Sequence, residues 1–223
     1  MSPAASPDDP PAAFPVAKLL RWYRKHRRAL PWRPRRKTKQ PPARTVTAYE
    51  TLVSEQMCQQ TQVATVIPYF HRFLDAFPTV EALAEADEQQ VLKLWQGLGY
   101  YRRARNLHAA AKRVVADFGG EIPGDVDALL ELPGVGRYSA GAVASIAFDR
   151  PAPVLDGNVM RVLSRHDGIA DPVDQTATQK RLWARAGDLV GRSPKGARGD
   201  FNQALMELGA TVCTPQPGSA KCM

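Results

Sequence analysis

Two acidic residues stand in settings that suit different tasks. Glu55 lies in Ser54-Glu55-Gln56-Met57-Cys58-Gln59-Gln60-Thr61-Gln62, and Asp156 in Leu155-Asp156-Gly157-Asn158-Val159. Breaking the bond between a nucleobase and its sugar needs a proton for the leaving base and a lasting negative charge beside the cationic sugar. A free Glu titrates near 4.3, and raising it by about two units costs roughly 2.7 kcal/mol, which burial can impose. General acid catalysis then contributes on the order of 10²–10⁴ in rate. Glu55 follows an apolar segment and precedes an uncharged Gln-Gln-Thr-Gln string. Asp156 follows Pro153-Val154-Leu155 and stands at a helix start, where the dipole favours a charged carboxylate. Taken singly, a helical Glu is ordinary surface and an Asp at this place is an ordinary cap.

The string between them supplies the context. Leu132-Pro133-Gly134-Val135-Gly136-Arg137-Tyr138-Ser139-Ala140-Gly141-Ala142 has the form of a helix, a hairpin and a second helix. Pro133 fixes the approach, and Gly134 and Gly136, with Val135 between them, let the backbone turn tightly and come close to a ligand. The free N–H groups of the following helix start suit a phosphate. A plain helix corner shares these residues, but the full string in a basic chain points to DNA. Lys and Arg number 30 against 22 Asp and Glu, a net charge of +8 over 223 residues, which favours a polyanionic partner. No apolar run approaches the roughly 20 residues of a membrane span, and no signal peptide opens the chain. Three cysteines, Cys58, Cys213 and Cys222, are too few and too odd for a disulfide scaffold and imply a reducing compartment.

These side chains must be placed by helices. Apolar spacing predicts a first helix from Val16, ending near Leu30-Pro31. Thr47 with Glu50 forms a capping box for the helix carrying Glu55. Pro68 should kink the next helix unless it lies in the first turn. Thr79, Asp87 and Asp125 are predicted caps, Arg102 to Phe118 a long helix closed by Gly119-Gly120, and Tyr138 to Phe148, Val159 to His166, Thr178 to Val190 and Asp200 to Val212 the rest. No strand alternation and no internal repeat is present, so the class is all-α. Residues 1–14 have the composition of a disordered tail, and 34–44 that of an exposed basic loop.

The chain resembles the adenine DNA glycosylases of the MutY type, in the helix-hairpin-helix superfamily alongside endonuclease III. The resemblance runs from about Leu30 to Cys213. It is carried by Leu30-Pro31-Trp32-Arg33, Gln59-Gln60-Thr61-Gln62, Gly97-Leu98-Gly99-Tyr100-Tyr101, Arg105-Asn106-Leu107, the hairpin, Leu155-Asp156-Gly157-Asn158-Val159 and Phe201-Asn202-Gln203-Ala204. It implies a monofunctional glycosylase of base excision repair that removes adenine mispaired with 8-oxoguanine or guanine in double-stranded DNA. Glu55 would protonate adenine N7, Asp156 would stabilise the sugar cation, and Tyr138 and Asn158 would position sugar, water and carboxylate. Arg33 would lie near the flipped adenine, and Gln60, Thr61 and Tyr100 would enter the duplex. Endonuclease III-like lyases hold a Lys at the place of Tyr138. Taken alone, Tyr138 reads as a packing residue and Tyr100-Tyr101 as core aromatics. A mismatch thymine glycosylase is the rival within the superfamily, and a catalytically weak DNA-binding fragment the rival outside enzymology.

The resemblance also implies a two-lobed fold: a helical bundle over 45–150 ending in the hairpin, a lobe joining 15–44 to 151–223, and an active-site cleft between them. It implies a monomer without membrane association, intracellular, cytoplasmic with the nucleoid in a bacterium and nuclear or mitochondrial in a eukaryote. The family's [4Fe–4S] cluster takes four Cys, whereas only Cys213 and Cys222 stand in that region, with a longer gap than usual. The expectation is a truncated cluster loop with Cys213 and Cys222 as two remnant ligands, which in the chain as written are two free thiols. The family's lesion-recognition domain is expected to be missing from this stretch of sequence.

Overall fold

A computed structural model describes residues 13–33 and 47–216. The expected tail over 1–12, the basic loop over 34–44 and Cys222 lie outside the described residues. Those residues form eleven helices and no strand.

Local chemistry explains most of the boundaries. Helix α1 (Val16–His26) is shorter than predicted, and Leu30 to Arg33 follow it as a turn. Helix α2 (Ala48–Cys58) begins with the full capping box: Thr47 accepts from the Glu50 N–H and the Glu50 carboxylate accepts from the Thr47 N–H. It is buried on nearly every side from Tyr49 to Met57, as a helix without a polar face must be. Helix α3 (Val63–Ala76) runs through Pro68. Both Pro68 and Ala64, whose carbonyl loses its N–H partner there, are exposed, so water can take the lost bond. Thr79 caps α4 (Val80–Glu85), Asp87 caps α5 (Glu88–Trp95) and Asp125 caps α7 (Val126–Leu130), each through its side chain. Helix α6 (Arg102–Phe118) ends on left-handed Gly119. The remaining helices are α8 (Arg137–Phe148), α9 (Gly157–His166), α10 (Thr176–Arg192) and α11 (Arg198–Thr211).

Two hydrophobic clusters form the core. One packs α2 to α8 around Phe70, Phe73, Trp95 and Leu129, and takes in Leu30 and Trp32 from the turn after α1. The other packs α1, α9, α10 and α11 around Leu19, Tyr23, Leu163, Leu189 and Phe201, and takes in Ala142 from α8. The chain thus crosses between clusters twice, once through the 30–33 turn and once through α8. Both crossings bring side chains to the seam where Glu55 and Asp156 lie.

Candidate active site

A cavity of about 280 Å³ opens between α2, α8, α11, the start of α9 and the turn after α1. Its walls carry Arg33, Glu55, Thr61, Tyr138, Asp156 and Asn158. Six of the side chains singled out in the sequence, from five separate segments, therefore share one space.

Each is placed by an identifiable local cause. Asp156 is the N-cap of α9: its Oδ1 accepts from the Val159 N–H at 2.7 Å and its Oδ2 from Asn158 Nδ2 at 2.9 Å. Arg161, one turn on, locks Asn158 through Asn158 Oδ1 at 2.8 Å and donates to the carbonyls of Gly209 and Cys213, both at 2.6 Å. Helix α11 comes that close because position 209 is Gly: a Cβ there would lie 2.6 Å from Asn158 Cβ. Tyr138 is the second residue of α8, and its hydroxyl lies 3.2 Å from Met206 Sδ.

Burial pushes the Glu55 carboxyl up to about 7; a hydrogen bond with Tyr138 and the charge of Arg33 pull it down, and the charge of Asp156 pushes it up. Desolvation dominates, so the group holds or releases a proton near neutrality. Burial, followed by the nearby charges of Glu55 and Asp156, holds the Tyr138 phenol well above its ordinary range. Cys58 also lines the cavity, and burial pushes its thiol up to about 12, which leaves it a poor nucleophile.

The hairpin is tied directly to the Glu55 helix, since Gln56 Nε2 donates to the Gly134 carbonyl at 3.0 Å. Gly134 has φ +74°, and a Cβ would lie 2.5 Å from Asn106 Cβ, so the position demands glycine. Val135 is buried, while Gly134 and Gly136 are exposed. Gly136 caps α8 without a side chain, which leaves the first N–H groups of that helix available to an anion.

Gln60 and Tyr100 do not enter the cavity. They meet in a neighbouring surface depression with Tyr101 and Asn106. Both are exposed and both are non-glycine residues at positive φ, 55° and 48°. Strain of this kind persists where the surroundings hold it, and here they do. Buried Arg103 donates to the carbonyls of Gln56 (3.0 Å), Met57 (2.8 Å), Leu98 (3.3 Å) and Gly99 (3.2 Å), to that of Gln59, and to Thr61 Oγ1 at 3.0 Å. One guanidinium thus braces the end of α2 against the 97–101 loop. In the sequence it is one of several basic residues at the start of α6, and no local signal separates it from its neighbours.

Cys213 stands apart from this group. It is buried at the end of α11, with Arg165 Nη1 3.3 Å from its Sγ. Among the described residues no group of three or more His, Cys, Asp or Glu could hold a metal ion. With Cys58 in the cavity wall, Cys213 is the one cysteine among the described residues left to serve a four-thiolate cluster.

A two-core, all-helical chain with a hairpin beside a cavity that holds two carboxylates has the layout of a base-excising DNA repair protein. The model of the HhH-GPD superfamily of base excision DNA repair proteins matches residues 53–186, and the chain belongs to that superfamily. It is 52% identical over 200 residues to the adenine DNA glycosylase of Rattus norvegicus, covering 89% of this chain and 38% of the relative. It is 48% identical over 206 residues to that of Homo sapiens, covering 92% and 37%. The chain therefore spans less than two fifths of the length of these mammalian relatives. A solved thermostable thymine-DNA glycosylase matches with a TM-score of 0.75 at 28% identity, covering 91% of this chain and 87% of that one. No helix among the described residues is long and apolar enough to cross a membrane.

Proposed function

We propose that this chain is the catalytic part of a monofunctional adenine DNA glycosylase, acting as a monomer on adenine opposite 8-oxoguanine or guanine in duplex DNA. The observation that carries the reading is the shared cavity: Glu55 and Asp156 face one space, and the desolvated Glu55 keeps its proton up to about pH 7.

The chemistry follows. The extruded adenine enters the cavity, and Arg33 lies at its edge. Glu55 gives its proton to adenine N7 as the bond from C1′ to N9 breaks, and the bonding pair leaves with the base. Asp156 faces the resulting sugar cation, held in that orientation by the Val159 N–H and Asn158. Water then adds to C1′ and gives up a proton to a carboxylate. Tyr138 offers a phenol of raised pKa and no amine, so no Schiff base with the sugar forms there. Gln60, Thr61 and Tyr100, braced by Arg103, enter the duplex and fill the vacated stack, and the Gly134–Gly136 turn takes a backbone phosphate. Flipping costs a few kcal/mol and a mispair lowers that cost.

Base release from duplexes holding A:8-oxoguanine, A:G and T:G pairs tests the reading. Adenine release from the first two, lost in Glu55→Gln, is expected. Release of thymine alone would transfer the chain to the mismatch thymine class, which the 28% identical neighbour keeps in view. Tight duplex binding with no release of either base, by a chain with native helix content, would leave a binding fragment. Borohydride trapping of a covalent DNA adduct would reverse the monofunctional assignment.

A further inference from the structure

Glu207 takes no part in the steps above, yet it is a fully buried carboxylate on α11. Its helix neighbours Gln203 and Met206 line the cavity. Four N–H groups converge on it. Arg28 gives its backbone N–H at 3.0 Å and its Nε at 2.7 Å to Oε1, and its Nη2 at 3.0 Å to Oε2. Arg33 gives Nη1 to Oε2 at 2.9 Å. The Arg33 guanidinium also lies 5.7 Å from the centre of the Tyr23 ring, and its Nε is buried with no partner. Two cations therefore share one buried anion, and both arginines stand in the wall of the cavity that holds Glu55.

Arg33 belongs to a turn rather than a helix, so no regular backbone fixes it. A long side chain of this kind loses much rotamer freedom when ordered. The Glu207 carboxylate, seated on a rigid helix, supplies that order by charge-assisted hydrogen bonds.

We propose that Glu207 is a positioning residue for the base pocket: it fixes the Arg33 guanidinium at the cavity wall and offsets the positive charge that Glu55 faces. The inference rests on the reading of Glu55 as proton donor. The groups facing Glu55 are Tyr138 from α8, Asp156 from the start of α9, Arg33 from the turn after α1 and Cys58 from its own helix. Of these, Arg33 is the cation; Arg28, from the same segment after α1, also lines the cavity, and Glu207 governs how much of either charge is felt. Removing the Glu207 charge leaves both guanidiniums uncompensated, and the Glu55 carboxylate is then favoured. Removing Arg28 leaves more of the Glu207 charge uncompensated, and the protonated Glu55 is then favoured.

The two variants must therefore move Glu55 in opposite directions, which a general loosening of the fold would not do. The test is a ¹³C NMR titration of the Glu55 carboxyl, assigned with Glu55→Gln, in the wild type, Glu207→Gln and Arg28→Met. The single-turnover pH profile of adenine release is measured beside it. Glu207→Gln is expected to lower the Glu55 midpoint, and the alkaline limb with it, by roughly half to one pH unit. Arg28→Met raises both, and Glu207→Asp, which keeps the charge, stays nearer the wild type than Glu207→Gln. Unchanged midpoints, or shifts of the same sign, would overturn the proposal. Should Glu207→Gln fail to fold, Arg28→Met decides, because that side chain is 41% exposed and its loss is tolerable. The NMR midpoint is read whether or not adenine is released, so opposite shifts in a chain that releases no adenine would leave the coupling of Glu207 and Arg33 to Glu55 standing and sink the adenine reading that gives it a use.

Discussion

Glu55 sits where its carboxyl is desolvated, and its ionisation therefore carries a cost that function can use. Its pKa rises from 4.5 to about 7 in the folded chain. Adenine release should then fall as pH rises through about 7, and Glu55→Gln should lower the single-turnover rate by about 10²–10⁴-fold. The same shift predicts a stability effect. A raised carboxyl binds its proton more tightly when folded, so between pH 4.5 and 7 the folded state holds more protons and stability declines as pH increases. Above pH 7 the full cost, about 3 kcal/mol, is present. Glu55→Gln should be more stable than the wild type at pH 8 by up to that amount and nearly equal to it at pH 4. Chemical unfolding at the two pH values measures the difference. Equal gains at both would show that the carboxyl is not desolvated.

At the scale of elements, the helix caps were legible because they are written in three or four consecutive residues. Thr47 with Glu50, Asp87, Asp125 and Asp156 all cap the helices their neighbours predict. Pro68 was legible only in part, since whether its missing N–H disrupts a helix depends on which face meets water. The braces were not legible at all. Arg103 reaches back more than forty positions to the end of α2, and Arg28 reaches Glu207 across 179. Arg103→Met should strip the charged donor from several buried carbonyls and cost about 3 kcal/mol of stability. It should also relax the Gln60 and Tyr100 backbones, which would be seen as faster amide exchange in both loops. At the hairpin, Gly134→Ala meets positive φ and Asn106 together. It should weaken duplex binding at least about tenfold while leaving helix content unchanged, a loss of about 1.4 kcal/mol. Wild-type affinity in a titration of Gly134→Ala would remove the turn from the interface.

For the whole molecule, two packed cores meet along a seam, and the cavity lies in that seam. Net charge of +8 should make duplex binding fall at least about tenfold between 50 and 200 mM salt, since even two neutralised phosphates give that slope. A salt-independent affinity measured by anisotropy would contradict a phosphate-binding face. Helix content, the caps and the hairpin could all be read along the chain, because each depends on residues close in sequence or on a motif of fixed spacing. The resemblance implied that Arg33, Glu55, Tyr138 and Asp156 share one site, and the structure brings them to one cavity; the degree of burial that raises Glu55 and the sharing of Glu207 by two arginines could not be read. Those depend on how α11 packs against the turn after α1 and on how closely Gly209 lets it approach Asn158, and such distances exist only once the two cores have closed on each other.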